Sequence, residues 1–305
     1  MNKKVKNQVS GLEAGIEAVG QGEWEYEGVR FFVRKHSYRP ILGEWVPHLE
    51  VVSNYGEIQV VPFIGEVLLD VSKERYCLEC YRRVELDRNI CVDCIERSEL
   101  YFLNCVIIGA GLGKGWCNLE EPVCGSEFSK NYCLREHAVY IAQFGNDYIK
   151  VGVSRRDRVW ERLIEQGVSR AQVFVGNEKL NLVSAQLLET CIVEYFKLED
   201  ITDHLEFERK LPCFMNEPPD LETERLDRLG REIMKVFNLK TLFQEDFRKY
   251  YKFIEIDEFE YDAGRICGEI VGYRGNIFIY RDMEGIVKAF DANSMAGRCL
   301  LNVKG

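Results

Sequence analysis

The sequence predicts an α+β protein with strands at both ends, a metal-binding cysteine module, and a compact strand–turn–strand–helix core between them. Three observations carry this. Eight of the twelve cysteines fall between positions 77 and 133. Short β-branched and aromatic runs, broken by Gly, Pro and Asn, occupy both ends of the chain. From position 136 the pattern changes to strands followed by amphipathic helices. The expected units are a β-rich N-terminal unit (1–72), a cysteine module (73–135), a three-stranded sheet with helices (136–210), and a helical linker leading to a C-terminal β-unit (211–305).

The first unit rests on GVRFFVR, HLEVV, EIQVVPFI and EVLLDV. The cysteine segment follows and has little periodicity. The core is read from strand HAVYIAQF, turn GND, strand YIKVGVS and a helix running through Arg162. A short strand, AQVFV, and a longer helix over 181–197 complete it. PCFMNEPPD reads as a linker, residues 220–252 as helical, and RICGEIVGYRGNIFIYRDMEGIVKAF as strands with turns at Arg-Gly-Asn and Met-Glu-Gly.

Composition narrows the function. With 305 residues, 46% apolar and 30% charged, the chain is long enough for two or three cores and too apolar to be disordered. It has no apolar run of spanning length, and its basic start lacks a following apolar stretch. The expectation is a cytoplasmic protein with no membrane partner. The formal charge of −10 disfavours a wholly nucleic-acid-coating surface. Charge is uneven, however: residues 148–170 carry six Lys/Arg against three acids, whereas 181–260 carry 11 against 19. An anionic ligand therefore belongs in the middle of the chain.

In a reducing compartment, clustered cysteines point to metal more than to disulfides. Cys77-x2-Cys80 and Cys91-x2-Cys94, ten residues apart, have zinc-ribbon form, since each pair places two thiolates at one turn. Cys105, Cys117, Cys124 and Cys133 are candidates for a second tetrahedron, with buried thiols as the alternative. Two structural Zn²⁺ ions are thus expected. His137 is open to three readings: zinc ligand, site residue or satisfied strand histidine. His36, His48 and His204 have no evident partner. VIIGAGLGKG (106–115) departs from both the dinucleotide and the phosphate-loop patterns and reads as loop.

In the core, Arg155, Arg158 and Arg162 are spaced to share one helix face, opposite Val159, Trp160, Leu163 and Ile164, with Ser154-x-x-Asp157 as a capping box. Glu189 lies among Ala185, Ile192, Val193 and Phe196 at helical spacing. A carboxylate in an apolar face needs a cation, and either Arg162 or a divalent metal would serve.

These residues carry a resemblance. AVY (138–140), KVG (150–152), Arg162-Leu163 and AQLLE (185–189) resemble the GIY-YIG nuclease domain. More closely, HAVYIAQFG and IKVGVSRRDRVWERLIEQGVSRA resemble the zinc-containing family catalogued as domain of unknown function 2797. That likeness extends to the cysteine segment, IGEVLLDV and GEIVGYRGNIFIY. It implies a GIY-YIG-like three-stranded sheet and one Mg²⁺ or Mn²⁺ ion. It also implies catalytic roles for Tyr140, Lys150, Arg162 and Glu189, and substrate contacts at Gly152, Arg155 and Arg158. Tyr140 or Lys150 would help activate water, Arg162 would stabilise charge on the phosphate, and Glu189 would hold the metal. The chain departs from the pattern at Ala138 and Lys150, which replace a glycine and a tyrosine, and at the downstream asparagine, for which Asn216 is a distant candidate. The expected function is Mg²⁺-dependent phosphodiester hydrolysis on DNA or RNA. The alternatives are a catalytically inactive nucleic-acid-binding module and a zinc-scaffolded adaptor with a protein partner.

Overall fold

The computed structural model describes residues 30–85, 89–97, 131–146, 148–198, 222–254, 260–261 and 265–304. The strands are β1 (Phe31–Ile41), β2 (Glu44–Ser53), β3 (Ile58–Pro62), β4 (Gly65–Tyr76), β5 (Arg83–Val84), β6 (His137–Phe144), β7 (Tyr148–Arg155), β8 (Arg170–Val175), β9 (Lys240–Asp246), β10 (Glu260–Tyr261), β11 (Arg265–Arg274), β12 (Ile277–Asp282), β13 (Val287–Asp291) and β14 (Arg298–Lys304). The helices are α1 (Val92–Arg97), α2 (Val159–Glu165), α3 (Leu182–Phe196) and α4 (Glu224–Phe237). The class is α+β, with mostly antiparallel strands in two sheets.

The larger sheet runs β10-β13-β12-β11-β4-β14-β1-β2-β3, with β5 added to β4. It joins both ends of the chain, because β4 is flanked by β11 and β14. The smaller sheet runs β7-β6-β8-β9. It has four strands where the sequence suggested three. The fourth, Lys240–Asp246, lies where helix was expected: α4 ends at Phe237, and Asn238 caps it in the left-handed conformation with φ 53°. Thr241, Leu242 and Phe243 then suit a strand pairing with β8.

All eight residues of β6 are buried, as befits a strand covered on both faces. One face packs on α2 and on the larger sheet through Tyr140, Leu163, Val173, Phe247, Tyr251 and Ile277. The other packs on α3 and α4 through Val139, Ile141, Ala185, Ile192, Leu226 and Ile233. Asn181 starts α3 by accepting the Ser184 N–H at 2.9 Å.

The α2 start differs from expectation. Strand β7 continues through Arg155, where Ala138 pairs with Ser154 and His137 with Arg155. The capping box does not form, since Ser154 lies in the strand and Arg158 precedes the helix with no side-chain cap. Ladder pairing and alternating Val151 and Val153 hold this segment extended. Only Arg162 of the three arginines lies within the helix.

Candidate functional site

The cysteine knuckle is built by tight turns. Tyr81 N–H bonds to Cys77 O, Cys77 N–H to Arg82 O, and Cys94 N–H to Cys91 O, at 2.8, 2.8 and 3.1 Å. Tyr81 takes φ 56°, which closes the first turn. The Sγ atoms of Cys77, Cys80, Cys91 and Cys94 all lie within 4.8 Å of one another, and those of Cys80 and Cys91 are 3.6 Å apart. Tetrahedral zinc with bonds of about 2.3 Å sets its sulfurs about 3.8 Å apart, so the four thiols fit a metal such as zinc. Burial opposes the Cys80 thiolate, but hydrogen bonds from the Arg82 main chain and the neighbouring thiols outweigh it, bringing Cys80 to about 7. Burial pushes the Cys91 and Cys94 thiols up. A low-pKa thiol in a close cluster is ready to ligate. The knuckle rests on the larger sheet, where Tyr81 stacks on Phe32 with centroids 5.0 Å apart.

Cys105, Cys117 and Cys124 lie outside the described residues, as do His204, Asn216 and the glycine stretch 106–115. Cys133 is buried against Leu182, beside Tyr132 and Val153. Among the described residues it joins no metal-ligand cluster. His137 is 1% exposed, donates from Nδ1 to Arg135 O at 2.8 Å and meets the Tyr132 ring edge-on. Among the described residues its Nε2 has no hydrogen-bond partner, and burial lowers its pKa.

The second constellation sits at β7, an edge strand of the smaller sheet. Helices α2 and α3 flank that strand from opposite faces of the sheet. Tyr140 pairs with Gly152 across the ladder, and Ala142 with Lys150, so Tyr140, Gly152 and Lys150 share one face. The Tyr140 ring covers Gly152. A Cβ there would collide with Cζ and Oη and lie 2.8 Å from Cε2, so the missing side chain admits this tyrosine. Tyr140 Oη donates to Gln166 Oε1 at 2.9 Å. Sequence reading passed over Gln166, although it directly follows α2 as the helix C-cap.

Tyr140 is 2% exposed. Burial raises its pKa, opposed by the charges of Arg162 and Lys150 and by the Gln166 hydrogen bond, and reinforced by Glu189. The structure therefore brings Arg162, Lys150 and Glu189, from α2, β7 and α3, within electrostatic reach of one hydroxyl. Arg162 is exposed and forms no ion pair within 4 Å among the described residues. Lys150 and Glu189 are half-buried. Arg155 and Arg158 are turned to other groups. Arg155 Nε lies 3.1 Å from Asp157 Oδ1, outside hydrogen-bond alignment, and its guanidinium covers the Tyr132 ring at 5.6 Å. Arg158 Nη2 meets Glu165 Oε2 at 3.1 Å.

Fold and site thus define an α+β protein with a four-cysteine knuckle able to hold a metal ion such as zinc. The chain belongs to the family described as "Protein of unknown function (DUF2797)", whose model matches residues 65–284. No curated protein and no solved structure matches it significantly. No helix among the described residues is long and apolar enough to cross a membrane.

Proposed function

We propose that this protein acts on nucleic acid through a GIY-YIG-like phosphodiester site at β7, with zinc in a structural role. The observation that supports the reading is that Arg162, Lys150 and Glu189, from three separate elements, all lie within electrostatic reach of the Tyr140 hydroxyl. Arg162, exposed and without an ion pair among the described residues, would meet a phosphate and stabilise charge developing on its oxygens. Burial keeps Tyr140 in the phenol form at neutral pH, so its part is to orient a water or a phosphate oxygen, held by Gln166. Lys150 is then the group left to take a proton from water or to serve as a second phosphate contact. Glu189 would hold a Mg²⁺ or Mn²⁺ ion, which needs only one or two carboxylates beside water and phosphate. When bound, that ion would polarise the scissile phosphate and its leaving oxygen.

The zinc reading extends to a second ion held by Cys105, Cys117, Cys124 and Cys133. The burial of Tyr140 also favours a second reading, a module that binds nucleic acid without cleaving it.

Cleavage of single- and double-stranded DNA and RNA, with and without Mg²⁺ or Mn²⁺, tests the proposal. Arg162→Ala should lower the rate about 10²–10³-fold with folding intact. Equal rates in wild type and Glu189→Ala would remove the enzyme reading. Binding without cleavage, with a log–log salt slope of about −0.7 to −0.9 per phosphate, would select the binding module. A protein ligand and no nucleic acid would select the adaptor.

A further inference from the structure

The open end of the β6–β7 hairpin carries two buried side-chain nitrogens with no hydrogen-bond partner among the described residues, His137 Nε2 and Arg155 Nε. The two residues pair directly across the ladder, so their side chains leave the same face of the sheet. Both lie against the Tyr132 ring, His137 edge-on with centroids 5.8 Å apart and the Arg155 guanidinium over it at 5.6 Å. Folded proteins leave few buried polar groups unpaired, so each of these nitrogens calls for a partner.

The histidine has the form of a metal ligand. It is 1% exposed, and its Nδ1 meets Arg135 O at 2.8 Å. A carbonyl can only accept, so Nδ1 carries a proton, and in the neutral ring Nε2 is left with a lone pair. Metal-ligating histidines share this arrangement: one nitrogen anchored on a carbonyl fixes the tautomer and the ring, and the other faces the ion. His48 has the same anchor, on Val46 O at 2.8 Å, but its Nε2 is not stranded in the interior. His36 is buried with neither nitrogen anchored. A thiol stands in the same corner as His137. Cys133, four residues earlier, is buried against Leu182 and Val153 and beside Tyr132. Val153 lies on the α3-facing side of the hairpin with His137 and Arg155. The His137 N–H donates to Leu180 O at 2.8 Å, two residues before Leu182. Imidazole and thiol are therefore packed between the hairpin and the start of α3, with Tyr132 against both.

We propose that His137 Nε2 and Cys133 Sγ are ligands of the second zinc ion, in a three-cysteine, one-histidine site at the foot of β6. This rests on the second-ion reading above and alters it: two of Cys105, Cys117 and Cys124 complete the tetrahedron, and one is left out. Zinc with three thiolates and an imidazole carries a single negative charge. The Arg155 guanidinium offsets that charge, and a thiolate sulfur gives its stranded Nε–H an acceptor. One ion thus answers both orphan nitrogens. It also ties the cysteine module to an interior strand of the smaller sheet, three residues before Tyr140.

A spin-active cadmium isotope in place of zinc reports the bond directly. The full chain, loaded with that cadmium and carrying isotope-labelled histidine, is read by NMR, and its metal content is measured by elemental analysis. The expected results are a scalar coupling between cadmium and the His137 ring, none to His36 or His48, and near two ions per chain. His137→Gln and Cys133→Ser should each halve the bound metal and leave the cadmium signal of the Cys77, Cys80, Cys91 and Cys94 knuckle in place. The wild-type coupling decides the matter even if a variant fails to fold. Near two ions per chain with no coupling to His137 overturns the inference and leaves an all-cysteine second site standing. Near one ion per chain in wild type overturns the second-ion reading, and this inference with it. Neither outcome touches the phosphate site at β7.

Discussion

Replacing Gly152 with alanine tests the geometry of the candidate site without any assumption about activity. A Cβ at this position cannot coexist with the Tyr140 ring, whose Cζ and Oη it would strike. The far end of a side chain often swings aside cheaply, but this ring is 2% exposed and packed among Leu163, Val173 and Ala142. Forcing it to move amounts to overpacking, about 1–3 kcal/mol. Displacing the hydroxyl also strands the buried Gln166 Oε1 that it now bonds at 2.9 Å, adding roughly 1–3 kcal/mol. A loss of about 2–5 kcal/mol follows, read by urea unfolding under circular dichroism. Tyr140→Phe removes one clashing atom, so the double variant should lose less than the sum of the singles, with a coupling of roughly 0.5–3 kcal/mol. Gly152→Ala within about 0.5 kcal/mol of wild type, or strict additivity, would refute this account of the glycine.

Other expectations follow from the same structure. Chelation should remove metal from the four-cysteine cluster and loosen the Tyr81–Phe32 stack, seen as lost near-ultraviolet dichroism. Cys80→Ser should lower the zinc content measured by elemental analysis. Zinc affinity should fall as pH falls, because protons compete for the thiolates; an affinity flat across pH would count against thiolate ligands. Burial depresses His36 and His137 below the ordinary histidine value. Their folded pKa values lie below the unfolded ones, so their contribution is present above about pH 6.5 and is lost on acidification through the depressed range. Combined His36→Leu and His137→Gln should flatten the denaturation midpoint between pH 7 and 5. Arg274→Lys should cost about 1–3 kcal/mol in the same unfolding assay, because a lysine cannot reproduce the fork that reaches both Gly167 O and Ser169 Oγ, at 2.7 and 2.6 Å.

The legible parts of the chain were those written in local pattern. HAVYIAQF and YIKVGVS, separated by a short turn, announce the β6–β7 hairpin. The CxxC pairs announce the knuckle, whose chemistry is local to two turns. Helix α3 was legible in the helical spacing of Ala185, Ile192, Val193 and Phe196 around Glu189. The misread segments are those that tertiary pairing decides. Ser154 and Arg155 have helix-compatible spacing but are claimed by the β6 ladder. Residues 240–246 follow a strongly amphipathic helix and become strand only because β8 needs a partner. No periodicity could show that the first and last thirds of the chain share one sheet, since β4, β11 and β14 meet over some 200 residues of sequence. Gln166 escaped notice because its function is a single hydrogen bond, which leaves no mark on spacing.

The larger sheet bears directly on the candidate site. Helix α2 has seven residues, too few to be stable alone, and no side-chain N-cap. Its hold comes from outside. Val159, Leu163 and Ile164 are buried against the inter-sheet core, and the hydroxyl of Tyr251 approaches the carbonyls of Leu163 and Ile164 at 3.4 Å. Beyond the helix, Arg274 grips Gly167 and Ser169. Gly275, at φ 57°, approaches so closely that a Cβ would lie 2.7 Å from the Gln166 carbonyl carbon, while its own carbonyl accepts the Tyr38 hydroxyl at 2.7 Å. The Arg-Gly-Asn turn between β11 and β12 is therefore a clamp on the segment that carries both Arg162 and Gln166. Cation and tyrosine partner stand on a helix that the opposite end of the chain holds in place. An isolated core of residues 136–210 would accordingly lack the clamp that aligns Arg162 and Gln166 with Tyr140.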